Sequence, residues 1–313
     1  FRSVLGSAPG SWGIITEYTL EGIRDTTLPW TRAFTIRLEY SKAAFIFAFK
    51  QTQFIVKDQE AKNLRDMKVL LVTAPPTEGA ESLDDTVYID LYGLWTGIDS
   101  GRMTKEWHDL YLEPFYAWPH TGFPSTLNVP LPLSLAGRMF ANMWTNHHDR
   151  YAIQAFHSDR WWDDEFIEIM ATEVDERVAM VPEVYPSFQF LPLGHQTQWA
   201  RNAGLNSLTW RDARAYVDDW MLIKNDSRYE EIRTRMRNFR ERTRKYWAYK
   251  DGTDRSTWMT PMTTYDNSTD LTNETIARGF FPDYTLFEKL QLMKAEVDPT
   301  GMFANRGTIP LPK

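Results

Sequence analysis

"FTIRLEYSKAAFIFAFKQTQFIVKDQEAKN", residues 34–63, decides the fold class. Its first seven residues alternate, with Phe34, Ile36 and Leu38 set against Thr35, Arg37 and Glu39, which is the period of a half-buried strand. At Ser41 the period changes. Ala44, Phe45, Phe47, Ala48 and Phe54 fall near helical spacing, and Ser41 supplies a capping oxygen, so the stretch 41–63 is predicted to be a helix. A one-faced strand running straight into a helix describes a sheet with a helical back.

Working outward, "MKVLLVTAP" (67–75) and "DTVYIDLYGLWTG" (85–97) are strands separated by the acidic loop "PPTEGAESLDD". A helix is expected over 99–117, then a Pro-punctuated loop over 118–134, of a length that is often functional. "RYAIQAFHS" (150–158) is a strand and 163–181 a helix with Asp163 near its cap. Strands at 187–195 and 214–225 precede a long charged helix over 227–250. A last helix over 283–299 is stopped by Pro299 and Gly301. "SWGIITEYTLEGIR" (11–24) also reads as a strand. The recurring order of strand pairs and helices predicts an α+β fold: a large, mainly antiparallel sheet backed by helices. No internal repeat or low-complexity linker interrupts it.

The composition supports a large core. The chain has 313 residues, 42% hydrophobic and 14% aromatic with 13 Trp, enough for one large domain or two ordinary ones. A net charge of −7 excludes an overall basic footprint for nucleic acid. With no cysteine, disulfides, zinc-thiolate sites and thiol nucleophiles are excluded. No run approaches the roughly 18 apolar residues of a membrane span. Sequons at Asn225, Asn267 and Asn273 hint at secretion. "FRSVLGSAPG" (1–10) has no starting Met and no signal-peptide pattern, and reads as an internal position.

Most candidate chemistry has a plainer reading. Adjacent His147 and His148 would point to opposite faces of a strand and rarely share a metal. His157, Ser158 and Asp159 are contiguous, which is not a triad geometry, and no Gly-x-Ser-x-Gly elbow exists. The basic residues of 228–250 are interleaved with Glu230, Glu231 and Glu241, and with Ile232, Met236, Phe239 and Tyr246, as in an amphipathic helix with one buried face. The loop Gly6-Ser7-Ala8-Pro9-Gly10-Ser11 allows close backbone approach to a phosphate or cofactor. It leads into a strand, so it is neither a P-loop nor a Rossmann fingerprint.

"GSWGIITEYTL" (10–20) and "FFPDYTLFEKLQLMKAEVDPTGMFANRGTIPLP" (280–312) together resemble two signatures of berberine bridge enzyme-like FAD-linked oxidases. The first resembles the Gly-x-Phe-Gly-Ile-Val-Thr-Glu segment that closes the flavin domain. The second resembles the C-terminal helix with its Asp-Pro-x-x-x-Phe and terminal strand. Between them, "FLPLGHQ" (190–196), "TWRDARAYVDDWMLIK" (209–224) and "TYDNSTDLTNET" (264–275) are similar, in order, to the family's Pro-x-Gly-Gly strand, Pro-His-Arg strand and Tyr-x-Asn-Tyr-x-Asp loop.

The resemblance implies that residues 1–30 end an FAD-binding domain, 31–262 form a substrate-binding domain, and 263–313 return to the FAD domain. It implies FAD as cofactor, with Ser11, Gly13, Ile14 and Asn267 near it. It also implies that the main pyrophosphate loops lie on a separate N-terminal FAD-domain polypeptide, in a nicked or heterodimeric protein. A buried Asn267 would leave its sequon unused, making Asn225 and Asn273 the better glycan candidates.

The sequence departs from the family at the base. Ser268 stands where the family has the second Tyr of its loop, and a serine hydroxyl is a weak base unless activated. The Glu six residues after the Arg of the Pro-His-Arg strand falls on Val217, counted from Arg211. Asp219, two residues on and on the same strand face, is its substitute by this count. His195 replaces a glycine and reads either as a base near neutral pH or as a structural histidine, while Tyr265 keeps the first aromatic of the loop.

Two functions follow. One is a secreted FAD-dependent oxidase of a carbohydrate or other alcohol, with hydride transfer to flavin and reoxidation by dioxygen. The other is a lectin-like carbohydrate-binding relative that has lost catalysis. Neither has nucleic acid or a membrane as partner.

Overall fold

The computed structural model describes residues 11, 12, 14, 16, 17, 19, 22–74, 86–119, 127–136, 150–193, 213–224, 226–250, 252, 271–281, 283–304 and 308–312. The expected α+β architecture is present. Among the described residues, seven strands form one antiparallel sheet in the order β4-β1-β3-β2-β6-β7-β5. They are β1 (Arg32–Glu39), β2 (Met67–Ala74), β3 (Tyr88–Trp95), β4 (Leu127–Pro130), β5 (Arg150–Ser158), β6 (Val184–Pro192) and β7 (Ala215–Ile223). Every ladder pairs its strands antiparallel.

Three long helices back the sheet: α1 (Lys42–Ala61), α4 (Asp164–Val178) and α5 (Tyr229–Trp247), with the short α2 (Lys105–Tyr111) and α3 (Glu113–Tyr116) beside them. The predicted caps are made. Ser41 Oγ accepts from the Ala44 amide and Asp163 Oδ1 from the Phe166 amide, satisfying amides that the first helical turn leaves unpaired.

The core lies between sheet and helices. Phe45 and Phe49 of α1 meet Phe188 and Phe190 of β6, and the Phe49 and Phe190 rings stack at 4.0 Å. Each such ring contributes about 1.5–3 kcal/mol by leaving water. Gly93 of β3 sits directly across from Phe34 of β1, and a Cβ there would fall 1.8 Å from the Phe34 ring. The glycine is required because that ring lies over its backbone.

α5 is amphipathic as expected, with Ile232, Met236 and Phe239 buried. Its Arg233, Arg235 and Arg242, with Arg228 just before it, pair with Glu173, Glu176, Glu183, Glu230 and Glu231.

Three expectations are corrected. The stretch 118–134 is not all loop: it contains β4, which pairs with β1 at the sheet edge, where Pro130 costs no interior ladder bond. Helix α6 (Glu274–Phe280) has no counterpart in the sequence reading, because a seven-residue helix carries too little periodicity to register. Among the described residues of 11–24, none lies in a strand. The loop "GSAPG" (6–10), residues 194–212, His147 and His148 lie outside the described residues.

A second, smaller core joins the two ends of the chain. Leu271, Ala277, Phe281, Phe287, Leu290 and Ile309 cluster between α6 and α7 (Tyr284–Val297), with Trp12 packed against them.

Candidate active-site face

Strand alternation gives the sheet two chemically different faces. Met67, Val69, Leu71, Ile89, Leu91, Phe188, Phe190, Ala215 and Val217 face the helices and join the main core. The other face carries polar and aromatic groups in two rows. The register aligns Arg37, Asp90, Val72, Gln189, Asp218 and Ala155 across six strands. In the adjacent row Thr35 opposes Tyr92, while Leu191 and His157 flank Tyr216.

Two carboxylate clusters stand on this face. Asp218 receives a hydrogen bond from the Tyr216 side chain, two residues back on the same strand face. The Tyr216 ring stacks on His157 with centroids 4.7 Å apart. Burial pushes the Asp218 carboxyl up to about 6, the nearby Asp219 charge adds to the rise, and the Tyr216 hydrogen bond opposes it. A carboxyl poised there is deprotonated at neutral pH yet more basic than an ordinary aspartate, which suits proton abstraction.

The second cluster is Asp90, about three strand spacings or ~14 Å away. Arg37 donates to it twice, through Nε at 2.7 Å and Nη2 at 2.8 Å, and the Tyr92 hydroxyl donates at 2.9 Å. The Arg37 guanidinium lies 4.8 Å over the Tyr88 ring. Lys68 shares this face, and burial followed by the Arg65 charge brings its ammonium down to about 8.

Asp219, the substitute reached by counting, is on the opposite face. It opposes Phe188 and Gln154 and is buried under α4. Its carboxylate accepts from Arg177 Nη1 and from Gln154 Nε2, the latter at 2.6 Å. Arg177, 1% exposed, also binds Glu173, which Arg235 and Arg242 join. A count from Arg211 in steps of two stays on one face of the strand and so passes over Asp218. The signal that finds it is the register itself.

Of the residues expected near a cofactor, Ser11 is buried and anchored. Its Oγ accepts from the Ile309 amide at 2.9 Å, and its carbonyl accepts from Lys294 Nζ. Lys294, 0% exposed, also donates to the Phe303 carbonyl at 2.9 Å and pairs with Asp298 at 2.6 Å. Ile14 is 82% exposed, an apolar side chain set just beyond this anchor. Gly13, His195, Tyr265 and Asn267 lie outside the described residues, as does Asn225; Asn273 is exposed at the start of α6.

The helix-backed antiparallel sheet is the fold of berberine bridge enzyme-like proteins. The chain is similar to the BBE-like 1 protein of Physcomitrella patens, with a TM-score of 0.60, 14% identity and coverage of 90% of this chain and 54% of that one. It is also similar to berberine bridge enzyme from Eschscholzia californica, with a TM-score of 0.54, 14% identity and coverage of 90% and 55%. A carbohydrate oxidase from Microdochium nivale, in complex with a substrate analogue, matches with a TM-score of 0.54, 11% identity and coverage of 91% and 56%. The chain thus spans little more than half the length of these structures. No family model and no curated protein matches the sequence. Among the described residues, no helix is long and apolar enough to cross a membrane.

Proposed function

We propose that this chain is the substrate-domain part of an FAD-dependent oxidoreductase that oxidises a carbohydrate or another alcohol. The observation that carries the reading is Asp218, a carboxylate with a raised pKa, held by Tyr216 on the sheet face turned away from α1, α4 and α5. In this reading Asp218 takes the proton of the substrate hydroxyl as the carbon gives up hydride and a carbonyl forms. Tyr216 orients the receiving carboxylate, and the His157 ring fixes Tyr216 by stacking. His195 and Tyr265 are proposed beside them from the sequence motifs.

Bound FAD supplies the hydride acceptor and, with dioxygen as oxidant, releases hydrogen peroxide. Ser11, fixed from both sides, and Ile14, with its uncovered apolar side chain, are proposed at one wall of such a group. Gly13 and Asn267 complete the proposed cofactor set. Residues 1–30 and 263–313 are proposed as the ends of the FAD domain and 31–262 as the substrate domain, with the rest supplied by a separate N-terminal polypeptide. The shared core of Trp12 with α6 and α7 supports that division. A secreted glycoprotein, with a glycan at Asn225 or Asn273, completes the proposal.

The non-catalytic, lectin-like alternative is favoured by the other end of the same face. Tyr88, Tyr92 and the Arg37–Asp90 pair offer ring surface together with paired donors and acceptors, which suits a sugar whether or not chemistry follows.

One experiment separates the two. The natively purified protein is assayed for flavin absorbance and peroxide formation, alongside D218N. The oxidase reading expects flavin bands in both proteins and turnover lower by about 10²–10⁴ in the variant. Absence of flavin, with saccharide binding retained, overturns it in favour of the lectin.

A further inference from the structure

A further group of ionisable side chains lies off the sheet, where α2 meets α3. Pro114 makes the break between them. It has no N–H for the Leu110 carbonyl one turn back, and Gln51 Nε2 of α1 takes that oxygen instead at 3.1 Å. Glu113 opens α3 on the far side of the break. His108, Asp109 and Glu113 each bring one ligand atom to this corner, and the three atoms lie within 4.8 Å of one another. Among the described residues, no other group of three His, Asp or Glu side chains gathers so closely.

The corner is more than a patch of acids, because it includes an imidazole nitrogen. The His108 ring stacks on Tyr116 with centroids 5.6 Å apart, which holds its plane. Its Nδ1 faces Asp109 Oδ1 at 3.5 Å. Lys105 donates to the other oxygen, Oδ2, so Oδ1 is left turned toward the imidazole. Glu113 makes no side-chain hydrogen bond and no ion pair among the described residues. Asp109 and Glu113 are four residues apart, a spacing at which like charges repel, and Lys105 pairs with only one of them.

The geometry points to His108, Asp109 and Glu113 as a binding site for one divalent transition cation of the zinc class, which ties α2 to α3 across the Pro114 break. One nitrogen with two carboxylate oxygens suits zinc, whereas magnesium and calcium take oxygen ligands. Zinc bonds of about 2.0–2.2 Å place tetrahedral ligands about 3.4 Å apart, so the three side chains close by roughly 1 Å around the ion. Asp109 and Glu113 are exposed and His108 is half-buried, so this closure needs only side-chain rotation. Water takes the fourth position, and the ion enters from solvent without opening the core. On the inner side of the same helix Tyr111 is buried in the main core and Trp107 packs against it, so the ion fixes the outer side of an element already anchored within. The site is independent of the oxidase reading and uses none of its residues.

The test is calorimetric titration of the tag-free, chelator-treated protein with zinc chloride, in wild type, H108A, E113Q and a double variant H147A/H148A. One zinc ion per chain is expected in wild type. Binding should weaken at least tenfold in H108A and in E113Q, and stay unchanged in H147A/H148A, which lacks the adjacent histidine pair. Zinc should also raise the melting temperature of wild type and not that of E113Q. Absence of saturable zinc binding in wild type overturns the proposal, as does binding that survives either single variant. Equal binding of magnesium chloride in place of zinc overturns the assignment to the zinc class. Should H108A fail to fold, the near-isosteric and exposed E113Q decides by itself. The titration needs neither flavin nor saccharide, so failure of the oxidase reading and failure of this one are separate results.

Discussion

Asp218 and Asp219 are consecutive on β7 yet serve opposite sides of the sheet. Asp218 opposes Gln189 on the face turned away from the helices, and Asp219 opposes Phe188 and binds Arg177 beneath α4. The first carries a raised pKa, and the second is locked in a buried ion pair.

The raised Asp218 carboxyl makes stability depend on pH. Its folded value of about 6 exceeds the unfolded 3.8, so the folded state holds its proton more tightly. That contribution is complete below about pH 4 and is lost as pH rises through 6. D218N escapes this loss. It is expected to be more stable than wild type above pH 6, by up to about 3 kcal/mol, and equal to it below pH 4. Urea denaturation at pH 4 and pH 8 checks both limits.

Arg177 holds Glu173 and Asp219 together where neither reaches water. R177M leaves both carboxylates without that buried partner and is expected to cost about 3–5 kcal/mol. Equilibrium unfolding measures it, and a loss below about 1 kcal/mol contradicts the description of this network.

Gly93 has no room for a methyl group under the Phe34 ring. G93A is expected to destabilise by about 1–3 kcal/mol through overpacking. F34L in the same chain relieves the clash, so the double variant should lose less than the two single losses added together. A thermal-melt double-mutant cycle reads the coupling.

Lys294 ties the first described residues to the C-terminal segment through the carbonyls of Ser11 and Phe303. K294M removes both ties and the Asp298 pair. Limited proteolysis should then cut around residues 11–24 faster than in wild type, while the seven-stranded sheet remains protected.

Much of the fold is legible in the sequence. The alternation of Phe34, Ile36 and Leu38, the change of period at Ser41 and the caps at Ser41 and Asp163 are local signals, and each reappears in the structure. β4 and α6 are not legible. A four-residue edge strand and a seven-residue helix carry too little pattern, and pairing with β1 or packing against α7 is what defines them.

By itself, the sequence determined the α+β class and the helix-backed sheet, because period and caps are written along the chain. Only the tertiary structure decided which of two adjacent aspartates faces away from the helix layer. β7 reads "AYVDDWMLI", with apolar residues on both faces, so alternation alone does not say which side the helices cover. That choice is made by packing: Val217 and Ala215 enter the main core, Arg177 reaches Asp219 from α4, and Asp218 is left on the other side.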